Sequence, residues 1–294
     1  MNNKLIGAFE EGCFDATTVA GMSHSKIDVA TRWAVINNKV SFLNSLRPHS
    51  KYKTRGGAYP LMRLAFEHGS GDVIQLLSSE ITAQMVLHNN GALIAAAYSS
   101  SSTAGARWIV GKRNAWGLSQ GVFAQALRQH CLSAHSNVVD YLAQTFPQQH
   151  FEWFSMAQNC AEDNDPQRCM LFLNHARNSP SFTPRQLVKV IYTAVEYIDP
   201  PSFGGVFACA NQLFSDVVAN HVNLPYLFKI AVGRSQGATE AVGALVQQFG
   251  HVDCRSVGHD VAETIEAHKA QHLNNTISST LPHGVGNNRC VRKL

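Results

Sequence analysis

The chain has 294 residues, of which 45% are hydrophobic and 15% charged, with a formal net charge of +4. That length admits two ordinary domains or one elongated repeat array, and the composition excludes disorder over most of the chain. The mild positive charge falls short of the dense Lys/Arg coverage of a dedicated nucleic-acid binder.

Seven cysteines, odd in number and widely spread, sit mostly in apolar contexts and read as reduced core residues of an intracellular, cytoplasmic protein. Glu10 and Glu11 stand where a secretory segment needs an apolar run, so no signal peptide is expected. The sequence also lacks an apolar run of the roughly 18 residues that read as a membrane span, and no membrane association is expected.

In chain order, residues 1–27 carry a short apolar patch around Leu5, Ile6 and Phe9 and read as an N-terminal cap. Residues 28–46 then read as a helix, a turn at Asn37-Asn38, and a return helix with Phe42, Leu43 and Leu46. Residues 47–59 hold Pro48, Gly56 and Gly57 with no helical period, which predicts a projecting loop. The clearest helical hairpin follows at 59–77. Leu61, Leu64 and Ala65, then Val73, Leu76 and Leu77, fall at three- and four-residue spacing, with the break at His68-Gly69-Ser70-Gly71 and Asp72 as the expected cap of the second helix.

Fainter copies recur at 91–110, 122–142, 151–173, 187–214 and 226–249. In the third copy the turn is stretched over Ser99–Ser102. In the fifth, Pro166 is placed as a first-turn residue. The sixth is loosest, with 199–205 read as a long insertion between its helices. One small residue marks the phase of each copy: Ala34, Ala65, Ala97, Cys131, Ala161, Ala194 and Ala231, which gives a mean period near 33. Close approach of stacked helix pairs explains the size limit, since a larger side chain there overpacks at ~1–3 kcal/mol.

A helix-turn-helix period near 33 and the run PLMRLAFEHGSGDVIQLL, with Pro60, Leu61, Leu64, Ala65, Gly69, Val73, Leu76 and Leu77 in place, resemble the ankyrin repeat. Tyr59 and Met62 replace the Thr and His of the ankyrin signature, and motif agreement is good in two of the seven copies. Connections of roughly ten residues between pairs separate this pattern from the tetratricopeptide repeat of similar period. The resemblance implies an all-α, ankyrin-like helical-repeat solenoid of about seven helix-turn-helix units over 28–250. It further implies a protein-protein interaction scaffold that uses its concave face and inter-repeat loops, with no enzymatic activity and no cofactor. Degenerate arrays of this kind occur in host-directed bacterial proteins and in large DNA viruses, and a compact single array fits either, which would place it in the host cytoplasm or nucleus. Residues 251–273 read as a capping helix and 274–294 as a flexible tail.

Candidate partner contacts follow from the loops. Arg47, His49, Lys51, Lys53 and Arg55 form the densest basic run and are interleaved with Tyr52 and Tyr59. They suit an acidic protein surface or, as the alternative, a phosphate backbone. Trp33 and Trp108 lie within helical patterns and read as packed. Trp116 and Trp153 lie at or beside inter-repeat loops, where an exposed tryptophan is a binding anchor. Cys131 and Cys160 read as small core hydrophobes. His130 adjoins Cys131, but helix neighbours point in different directions, so adjacency makes no dyad. His268 and His272, with Cys254 and His259 upstream, have metal-like spacing. They lack the Glu of a metalloprotease, so solvated helix surface is the preferred reading and a C-terminal metal or thiol enzyme site the alternative.

Overall fold

Helix α1 (His24–Ile36) stops because Asn38 takes a left-handed backbone, φ 54, which lets Lys39 N–H bond back to Ala34 O at 2.8 Å and Asn38 N–H to Val35 O at 3.1 Å. This is the hydrogen-bond pattern that ends many helices. The same pattern ends α3 (Arg55–His68) at Gly69, φ 68, and α9 (Trp153–Glu162) at Asn164, φ 55. In the fifth copy the motif begins at Cys160, so Cys160, one residue before Ala161, stands in register with Ala34 and Ala65.

The computed structural model describes residues 7, 22–53, 55–148, 151–180, 182–249, 262–267 and 270. Among them it is all-helical, with no strand. The remaining helices are α2 (Val40–Leu46), α4 (Gly71–Leu77), α5 (Ala83–Ser99), α6 (Ala104–Lys112), α7 (Gln120–Gln129), α8 (Ser136–Thr145), α10 (Pro166–Ala176), α11 (Pro184–Tyr197), α12 (Pro200–His221), α13 (Leu224–Val232) and α14 (Ala238–Phe249). They follow one another two by two across turns of two to six residues. No helix among the described residues is long and apolar enough to cross a membrane.

The chain divides into two bodies, 1–156 with 178–181, and 157–177 with 182–294. In the first, the leading helices α1, α3, α5 and α7 pack in sequence, and the return helices α2, α4 and α6 pack in a second row. In the second, α11 packs on α13, and α12 packs on both α10 and α14. All seven small residues, from Ala34 to Ala231, are at most 2% exposed, though Cys131 lies in the turn after α7 rather than within a helix. Tyr98 of α5 is buried and donates its hydroxyl to Phe123 O of α7 at 3.3 Å; burial, with the nearby Tyr141, pushes its phenol well above the usual range.

Several helix boundaries differ from the sequence expectation. The projecting loop over 47–59 is not found. Arg47–His49 is a 3-10 turn, and α3 begins at Arg55 with Pro60 inside it. The segment folds back tightly, because a Cβ on Gly57 would stand 2.5 Å from Tyr52 Cα, an approach that only glycine permits. The expected insertion at 199–205 is the start of α12, where Pro200 and Pro201 occupy first-turn positions that need no N–H partner. Helix α5 starts at Ala83, capped by Thr82 Oγ1 accepting from Met85 N–H at 3.3 Å, and holds Gly91 at a positive φ of 74. Connections between pairs therefore run from two to eight residues, shorter than the ten or so expected.

Asp72 does not cap its own helix. It lies in the first turn of α4, and the free N–H groups of Asp72 and Val73 are taken by Asn38 Oδ1, at 3.1 Å each. Of the terminal segments, 262–267 and 270 are helical. Most of the N-terminal cap and the 274–294 tail lie outside the described residues, as do Cys254, His259, His268 and His272.

Candidate functional site

The tight 47–55 segment brings the predicted aromatic residues onto one cavity of the first body. A recess of about 380 Å³ between α1 and α3 is lined by Arg32, Tyr52, Tyr59, Pro60, Arg63 and Glu67, among others. Tyr52 is 7% exposed, so it forms part of the wall and is not the exposed contact expected. Its backbone carbonyl accepts from Arg47 Nε at 3.1 Å, and its ring lies 5.1 Å under Lys51 Nζ. Tyr59 is half-buried, with its ring 6.2 Å from His88, and its hydroxyl is buried with no hydrogen-bond partner. An unmet buried hydroxyl costs about 1–3 kcal/mol.

The basic run is less available than its sequence suggests. Arg47 forms a two-pronged pair with Glu80, both bonds at 2.5 Å, and is held largely out of solvent. Lys51 pairs with Asp28 at 3.6 Å, and its N–H donates to Asp28 Oδ1 at 3.0 Å. Lys53 is exposed. The side chain of Arg55 lies outside the described residues.

Two cations that the sequence reading missed complete the recess. Arg32 is exposed, and no described carboxylate lies within ion-pair distance of it. Arg63 pairs with Glu67 one helical turn on, at 2.8 Å, and remains 56% exposed, so the pair adds little to stability. Arg32 and Arg63 each stand two residues before a phase marker, Ala34 and Ala65. Their like spacing from Ala34 and Ala65 was the signal that would have paired them.

The tryptophans separate. Trp116 is half-buried in the turn after α6, its ring 5.3 Å from Trp108. Trp153 opens α9 but is 1% exposed, stacked on Phe151 at 4.5 Å and donating Nε1–H to Gln148 at 2.9 Å. The exposure expected of Trp153 is therefore not found; its flat ring and single donor are both satisfied in the core. Cys131, Cys160 and Cys169 are buried and not in disulfides, and Cys209 is half-buried.

Compared with known proteins, the chain matches no family model, no curated protein and no solved structure.

Proposed function

We propose that the chain is an ankyrin-like helical-repeat solenoid that works as a protein-binding scaffold, and that the recess between α1 and α3 is where a partner docks. The ankyrin-like reading rests on the period near 33, the buried small residue of each copy and the two rows of helices in the first body. The binding reading rests chiefly on one observation: a recess walled by Tyr52 and Tyr59 carries Arg32, which is exposed and has no described carboxylate within ion-pair distance. An exposed guanidinium beside two tyrosine rings suits a carboxylate-bearing side chain of a protein surface, because charge-assisted bonds to arginine are directional and strong. A stacked array gives the extended surface around it.

Affinity capture with the intact chain tests this, with nuclease present to remove nucleic-acid bridges. A protein retained by the wild type and lost with Arg32→Glu supports the proposal. A captured set that is the same for both chains defeats it.

A further inference from the structure

A second recess lies between the return helices α4 and α6 of the first body, with a volume of about 510 Å³. Its lining includes Gly71, Ile74, Arg107, Trp108, Gly111 and Lys112. On α6 the three- and four-residue spacing places Arg107 and Trp108, then Gly111 and Lys112, on one helical face.

Three features of this face need explanation. Gly111 is helical, and a Cβ built there meets nothing within 4 Å, so neither backbone strain nor close packing demands glycine. Glycine in a helix instead costs about 0.5–1 kcal/mol relative to alanine, and what it leaves here is open space in the recess. Trp108 is 7% exposed, its ring held between Phe66 at 5.7 Å and Trp116 at 5.3 Å, yet its indole N–H finds no acceptor. Arg107 and Lys112 are the charged residues of the lining, and neither has a described carboxylate within ion-pair distance. Arg107 is held in place by donating to Thr103 Oγ1 at 3.0 Å and by lying 5.0 Å over the Tyr141 ring.

We propose that this recess binds a short acidic peptide segment of a protein partner, on a surface separate from the one between α1 and α3. The two uncompensated cations select an anionic occupant, and the open space that Gly111 leaves admits an apolar side chain between its carboxylates. A nucleic-acid strand is the poorer match. Its bases need exposed aromatic faces, and here Trp108 is buried and Trp116 is engaged with it.

The test is fluorescence anisotropy of a labelled short peptide of alternating Glu and Leu, titrated with the full chain. Saturable binding is expected, weakened about tenfold or more by Gly111→Leu, which fills the recess, and likewise by Lys112→Glu. Arg32→Glu is expected to leave this binding unchanged, so failure here is distinguishable from failure at the other recess. The proposal is overturned by absence of saturable binding, by binding that both groove variants leave intact, by loss of binding with Arg32→Glu alone, or by full displacement with polyuridylate that tracks the groove variants.

Discussion

Asn38 joins one helical pair to the next through Asp72. Its amide oxygen accepts from the Asp72 and Val73 N–H groups, and its amide nitrogen donates to the Asp72 carboxylate at 2.8 Å. Asn164 does the same in the second body, accepting from Asp199 N–H at 2.9 Å and donating to its carboxylate at 2.9 Å. Both asparagines have a left-handed backbone, and the partners lie 34 and 35 residues on. One side chain thus ends its own turn and caps a helix of the following pair, 34 or 35 residues on.

Asn38→Gly keeps the left-handed backbone and removes the cap, so it is expected to lower unfolding free energy by ~1 kcal/mol. Asn38→Ala adds the cost of a left-handed alanine, roughly 1 kcal/mol further. Urea denaturation of both variants checks the order. Equal stability of Asn38→Gly and wild type would show that the side chain contributes nothing.

Gly69 and Gly111 are expected to respond in opposite directions to alanine. At Gly69, φ is 68 and a Cβ would stand 2.3 Å from Ser102 Cβ, so Gly69→Ala should destabilise by more than ~1 kcal/mol. Gly111→Ala meets open space in a helix and should stabilise by ~0.5–1 kcal/mol. Thermal melts of the two variants side by side decide it.

Ala65 is fully buried where α3 meets its neighbours. Ala65→Leu should cost ~1–3 kcal/mol through overpacking, and Ala65→Arg more, since a buried guanidinium there has no partner. A melting temperature unchanged by Ala65→Arg would remove the assigned phase.

Burial pushes the Cys169 thiol up to about 12, with Cys209 and Asp165 adding to it. A raised thiol pKa favours the folded state fully below the ordinary thiol value of 9.0, and that contribution is lost as pH climbs toward 12. Urea midpoints of wild type should therefore fall more steeply between about pH 8 and pH 10.5 than those of Cys169→Ala, and iodoacetamide should label Cys169 only after unfolding. Rapid native labelling would contradict its burial.

The helix pairs were legible because apolar residues at three- and four-residue spacing mark each buried face. The phase was legible at Ala34 and Ala65, which sit alike near the ends of α1 and α3, but not at Cys131, which is buried in the turn after α7. Helix starts were less legible. Gly56-Gly57 and Pro200-Pro201 read as loop residues, yet Gly57 serves a close approach to Tyr52, and the two prolines occupy a first turn. The recess was half legible. Tyr52 and Tyr59 stood out, but each arginine is alone in its own stretch, and only stacking by one period sets Arg32 and Arg63 on the same recess. Pairing of Arg47 with Glu80, 33 residues away, and the missing partner of Tyr59 depend on tertiary contacts that no local pattern records.

Photocrosslinking tests the binding account most directly. A photoreactive residue at position 63 of the intact chain, irradiated in an extract of cells that make the protein, is predicted to give a dominant protein adduct that is lost when Arg32→Glu is added. The same residue at the exposed position 197 should not give that adduct. No protein adduct from position 63, or the same adduct from both positions, would contradict the recess between α1 and α3 as the docking site.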